Sequence, residues 1–147
     1  MQCVQISQNS TSRNNGIRAQ RAFAHYCGIE QHAHDAIRYD IGSDIEIAGH
    51  GYSVKSSGAT LMAGMLCEGR ESFESIWELY AERVHSDRFV YVTNAWTAYV
   101  MNLSEFSEFV HAFGRCERES SKNGGAVKIR FRKESSKMVA WLKDRAT

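Results

Sequence analysis

At 147 residues the chain has the length of one domain and can bury a core without staples. Apolar residues make up 43% and charged residues 24%, a globular balance that excludes a disordered chain, and no apolar run approaches the roughly 18 residues that span a bilayer. Net charge is only +1 but unevenly spread: residues 1–110 carry 8 Lys/Arg against 13 Asp/Glu, whereas residues 111–147 carry 10 against 4. A basic final quarter on an acidic body suits a polyanion partner, or else is a solvated basic surface.

The opening MQCVQISQNSTSRNNG is polar and lacks an apolar stretch, so it reads as a flexible leader over residues 1–13 and not as a secretory signal. Cys3, Cys27, Cys67 and Cys116 show no CxxC pair and no zinc-finger spacing; they read as reduced thiols of a cytoplasmic protein, Cys27 and Cys67 buried. A first helix is predicted over Ile17–Cys27, capped by Asn14 or Asn15 and stopped by Gly28, with Ala19, Ala22, Phe23, Tyr26 and Cys27 on its apolar face. Three strands follow by period-two alternation: Ala36–Ile41, Asp44–Ala48 and Tyr52–Ser56. The small-residue stretch Gly58–Cys67 has no clear pattern. A strong helix is predicted over Ser72–Val84, then strands over Arg88–Asn94 and Thr97–Asn102. A capping box of Asn102 and Glu105 opens a helix that Gly114 ends at Phe113. A polar loop ending in Asn123-Gly124-Gly125 leads to a strand over Val127–Arg132, and an amphipathic helix over Ser135–Asp144 buries Met138, Val139, Trp141 and Leu142. The fold class is therefore α/β (α+β), in the order αβββαβ followed by βαβα, packed as one domain with a mixed sheet flanked by helices.

The hairpin Asp44–Lys55 carries the chemistry. Ile45, Ile47, Tyr52 and Val54 take one face, leaving Asp44, Glu46, Ser53 and Lys55 on the other. A two-residue turn at Gly49-His50 sets Ile47 against Tyr52, Glu46 against Ser53, and Asp44 against Lys55. Two acids and an amine converge, either as a site or as an ordinary surface ion pair worth ~0–1 kcal/mol.

This segment resembles the PD-(D/E)xK nuclease superfamily, in which an Asp opening one strand is joined by a (D/E)xK triplet on the next. Asp44 matches the motif Asp, and Ser53-Val54-Lys55 occupies the triplet as a variant SxK. Gly16-Ile-Arg-Ala-Gln20 resembles the first-helix Gly-xxx-Glu of many members, with Gln in place of Glu. The αβββαβ order over residues 14–94 matches the superfamily's restriction-endonuclease-like common core, and residues 95–147 form an extension bearing a basic strand. The resemblance implies a Mg²⁺- or Mn²⁺-dependent endonuclease acting on duplex or branched DNA, resolvase-like or restriction-like. Asp44 and the Val54 carbonyl would hold the metal, with Lys55 and Gln20 acting on the attacking water and the phosphate. Ser53 cannot supply the triplet's anionic ligand, so the second carboxylate is either Glu46, its cross-strand neighbour, or Glu68, thirteen residues past Lys55, by analogy with members that take their acid from a later helix.

On the strand Val127–Arg132, Lys128, Arg130 and Arg132 share one face, a row that suits phosphate contacts as well as it suits solvent. Arg18 and Arg21, with Arg13, extend that footprint. His32, His34 and Asp35 read as a polar loop without zinc-site context, Gly49-His50-Gly51 as a turn, and Trp77, Trp96 and Trp141 as core, Trp96 being the one that its tight connection could leave exposed. Two readings compete with a nuclease. One is a nucleic-acid-binding protein that kept the fold but lost the chemistry; the other is a protein-interaction module. Cutting both strands of a duplex would take two sites, which a homodimer could supply.

Overall fold

The computed structural model describes residues 1–29, 44–62, 69, 71–118 and 127–147. The predicted strand over 36–41, the His32/His34/Asp35 loop, Cys67, Glu68 and the 123–125 turn lie outside the described residues. In chain order the elements are β1 (Gln2–Gln5), α1 (Asn15–Tyr26), β2 (Ile45–Ile47), β3 (His50–Ser56), β4 (Thr60–Met62), α2 (Phe73–Arg83), β5 (Arg88–Val92), β6 (Thr97–Met101), α3 (Leu103–Phe113), β7 (Gly114–Arg118), β8 (Val127–Phe131) and α4 (Ser136–Arg145). They form a mixed five-stranded sheet in the order β1-β6-β5-β3-β2 and a three-stranded sheet in the order β4-β8-β7. None of the described helices is long and apolar enough to cross a membrane.

β3 and β5 are parallel neighbours, Val54 beside Val90, and α2 lies between them in the chain, as a crossover connection requires. The main sheet is covered on both faces. On one face, Ala19, Ala22, Phe23 and Ala24 of α1 bury against Ile45, Val54, Val90, Val92 and Ala98. On the other, Phe89, Tyr91, Tyr99 and Met101 meet α2, α3, α4 and the small sheet. Phe131 of β8 packs edge-on against Tyr91 and Phe106, and Phe106 stacks on Phe89 with ring centroids 4.4 Å apart. Each such pair adds about 0.5–1.5 kcal/mol beyond the area buried, which fastens the small sheet to the large one.

The helix ends follow their local chemistry. The Asn14 side chain accepts the Ile17 N–H at 3.0 Å to start α1, and Gly28, at φ +79°, turns the chain away after it. Asn102 and Glu105 form the predicted capping box of α3, with reciprocal bonds of 2.8 and 3.0 Å. Gly114 follows α3, but in extended conformation; its role is closeness, since a Cβ there would sit 2.6 Å from the Val110 carbonyl oxygen. The chain runs straight on into β7, where a polar loop was expected. Tyr26, expected on the apolar face of α1, is 54% exposed, and Cys27 is half-buried.

Two further expectations are corrected. Residues 2–5, read as part of a flexible leader, pair with β6 as an antiparallel edge strand, with Cys3 opposite Tyr99. Edge pairing needs only one apolar face, which is why so polar a segment can supply it. The hairpin register is also displaced by two. Ile47 pairs with His50, Glu46 with Gly51 and Ile45 with Tyr52, so the turn is Ala48-Gly49. Both turn residues have positive φ, +50° and +82°, the type I′ geometry whose twist matches that of the strands. His50 and Gly51 are drawn into β3 by Asp87, whose carboxylate accepts the Gly51 N–H at 3.0 Å and bonds His50 Nδ1 at 2.6 Å. A displacement of two preserves which side chains share a face. It predicts that Ala48→Asn, which creates the preferred Asn-Gly turn, raises stability by up to about 1 kcal/mol through relief of the left-handed strain. A rise in the urea midpoint with an unchanged m-value is the expected result; in the register first predicted, Ala48 lies outside the turn and the substitution would gain nothing.

Candidate active site

Among the described residues β2 pairs with β3 as far as Tyr52, and Asp44 directly precedes β2. Its backbone N–H donates to the Tyr52 carbonyl at 2.8 Å, and its carboxylate Oδ2 accepts the Val54 N–H at 2.7 Å. The side chain therefore satisfies a backbone donor on the β2 side of β3. Residues 52 and 54 point their backbone groups to the same edge, so the Val54 carbonyl faces the Asp44 side as well.

A cleft of about 320 Å³ opens here, and Gln20, Asp44, Val54, Lys55 and Thr60 line it. Gln20 comes from α1, which packs across β3, and is only 9% exposed. Lys55 is 7% exposed. An ammonium this deep is held only in polar company, which makes a simple surface ion pair the wrong description. Asp44, Lys55, Val54 and Gln20, proposed from sequence as a group, thus line one cavity.

Other predicted residues are placed elsewhere. Ser53, 1% exposed, shares a 2.6 Å hydrogen bond with the Ser86 hydroxyl and does not line the cleft. Glu46 lies in a separate pocket of about 480 Å³ with His50, His85 and Asp87. There the hydrogen bond from His50 holds the Asp87 carboxyl below its usual range. Among the described residues Asp44 is the one carboxylate lining the cleft, and no group of three His, Cys, Asp or Glu is placed to hold a metal. Glu68 lies outside the described residues.

On β8, Val127, Ile129 and Phe131 are buried, Lys128 and Arg130 take the opposite face, and Arg132 follows the strand, exposed. Arg130 is partly committed, its Nε donating to the Gly58 carbonyl at 2.9 Å and its guanidinium lying 3.5 Å from Glu117. Thr60, which lines the cleft, is the cross-strand partner of Arg130, so the basic strand lies next to the cleft wall. Arg18 and Arg21 are half-buried on α1; Arg18 bonds the Asn15 side chain and Arg21 the Ser10 hydroxyl at 3.1 Å. Sequence reasoning missed Thr60 and the pocket beside Arg18, because both depend on how the small sheet and the β5–β6 turn close around α1. Compared with protein-family models, curated proteins and solved structures, the chain matches none of them.

Proposed function

We propose that the chain is a metal-dependent endonuclease that hydrolyses DNA phosphodiesters, built on a variant PD-(D/E)xK core. The observation that carries this reading is the convergence of Gln20, Asp44, Val54 and Lys55 on one cleft beside β3. The donors they would offer a metal are oxygens: the Asp44 carboxylate, the Val54 carbonyl and the Gln20 amide oxygen. That is the chemistry a hard cation takes, and Mg²⁺ binds to few protein groups while keeping several waters. Bound there, Mg²⁺ would polarise the phosphate and favour a deprotonated water. Asp44 is fixed by the Val54 N–H and needs no reorganisation to serve as a ligand. Lys55 presents a cation to the phosphoryl oxygens as charge builds on them, in surroundings where water screens it little. Gln20, buried and held by α1, orients a water or the phosphate by hydrogen bonding. The basic face of β8 supplies sequence-independent backbone contacts beside the cleft.

Incubation with linear and branched DNA tests this. Cleavage that requires Mg²⁺ or Mn²⁺ and stops with EDTA is expected, and no cleavage of any of these substrates would refute it. One observation favours a second reading, a nucleic-acid-binding protein on the same fold without turnover: Ser53 is engaged by Ser86 and Glu46 lies in another pocket. Both readings predict salt-sensitive binding. Replacing Lys128 and Arg132 by Gln is expected to flatten the slope of log K against log salt by about two and to weaken binding to all sequences alike. An unchanged slope would remove β8 from the interface.

A further inference from the structure

A third pocket, of about 210 Å³, lies on the other side of the first turns of α1. Gln8, Arg18, Ser57, Thr93, Asn94 and Trp96 line it, and Ser56 lines both this pocket and the cleft. Its volume is below that of a drug-sized ligand site (roughly 300–1,000 Å³) and suits a sugar-phosphate unit with a base at the mouth. Two features of its walls stand out: an arginine donor without a match and a strained tryptophan, the latter also packing against the core beneath α1.

The first is Arg18. Its Nε is buried and has no hydrogen-bond partner among the described residues, although the same guanidinium reaches the Asn15 side chain. A buried donor left unmatched is costly unless a ligand completes it, and a guanidinium fork matches a phosphate.

The second is Trp96. Asn94, Ala95 and Trp96 form a three-residue loop closing the β5–β6 hairpin, with the Thr93 carbonyl accepting the Trp96 N–H at 2.9 Å. The third residue of such a loop takes the left-handed conformation, where Gly or Asn is normal. Here it is a half-buried tryptophan at φ +62°. Strained backbone under a bulky side chain points to function at that position. The loop is also braced. The Glu134 carboxylate accepts the Asn94 N–H at 3.0 Å and the Tyr91 hydroxyl at 3.1 Å, and the Glu134 N–H donates to Ser57 at 2.9 Å. The pocket wall is therefore fixed before any ligand arrives.

We infer that this pocket is a subsite for an unpaired nucleotide flanking the phosphodiester in the cleft, Arg18 taking its phosphate and Trp96 stacking on its base. The inference rests on the proposed function for its ligand class, and it selects single-stranded or branched DNA over an intact duplex, because a base must leave its pair to reach the indole.

The probe is a fluorescein-labelled 12-nucleotide single-stranded DNA, titrated by anisotropy in EDTA so that no cleavage intervenes. Trp96→Gly is expected to weaken binding about five- to 150-fold, the range for losing one stacked base, and Arg18→Gln is expected to weaken it and to flatten the slope of log K against log salt by about one. Glycine relieves the left-handed strain but gives up the contacts of Trp96 with the core, so Trp96→Gly is expected to melt below the wild type, and binding is read well below its melting temperature to separate lost binding from lost folding. Trp96→Phe should recover part of the affinity. Wild-type affinity in folded Trp96→Gly, or no affinity of the wild type for the oligonucleotide, overturns the subsite. Cleavage is read separately. Binding lost in Trp96→Gly from a protein that cuts nothing keeps the subsite and removes the nuclease, whereas Asp44-dependent cleavage with undiminished binding by Trp96→Gly does the reverse.

Discussion

Asp44→Asn is expected to lower metal-dependent DNA cleavage about a thousandfold, equivalent to about 4 kcal/mol of transition-state stabilisation, with little loss of fold. The asymmetry between the two effects comes from what the carboxylate does. One oxygen accepts the Val54 N–H at 2.7 Å on the β2 side of β3. Asparagine has the same shape and keeps an acceptor oxygen, so that bond survives in neutral form, at a difference of about 1 kcal/mol between charged and uncharged acceptors. What asparagine cannot supply is the negative charge, and Asp44 is the one carboxylate lining the cleft among the described residues. Asp44→Ala removes both functions. It leaves the Val54 N–H without that acceptor and should cost about 1–3 kcal/mol of stability in addition to the activity. Single-turnover cleavage rates and urea midpoints for the two variants separate the roles. Wild-type cleavage by folded Asp44→Asn would mean that the carboxylate serves only the strand edge and that any nuclease activity resides elsewhere.

How far the sequence could be read depended on whether local or long-range contacts decided each feature. Asn14, Ser72, Asn102 and Ser135 each cap the helix that follows, and each is recognisable because capping is settled within four residues. The alternation in Val127–Phe131 likewise fixed which side chains of β8 enter the core. The hairpin shows the boundary. Its two faces followed from period two, but its register depended on Asp87, 36 residues from Gly51 in the chain, pulling His50 and Gly51 into β3. An error of two residues left Asp44 and Lys55 in one cleft. It displaced Glu46, whose expected nearness to Ser53 required the register itself. β1 was unreadable for a related reason: Gln2–Gln5 has little apolar signal and becomes a strand only because β6 offers an edge. β7 was missed because its pairing to β8 spans a long connection and its residues, Gly-Arg-Cys-Glu-Arg, alternate weakly.

Lys55→Met is expected to reduce cleavage about 100- to 1,000-fold, the usual consequence of deleting one fixed donor aimed at developing charge. Methionine matches the length of lysine and fills an apolar site, so it removes the charge without opening a cavity. Lys55 is 7% exposed, and any carboxylate that depends on it becomes a buried uncompensated charge when it is lost. A destabilisation of up to about 3–5 kcal/mol is therefore compatible with catalysis and with a purely structural pair alike. The discriminating quantity is the rate per folded molecule, measured well below the variant's melting temperature. Lys55→Arg sharpens the contrast. It restores the charge and would rescue a pair that needs only a cation, but a planar guanidinium does not reproduce the position of a compact ammonium and should recover little cleavage. Full activity in folded Lys55→Met would reduce Lys55 to a partner in the core, and the cleft would then hold a carboxylate with no cation to meet a phosphoryl oxygen.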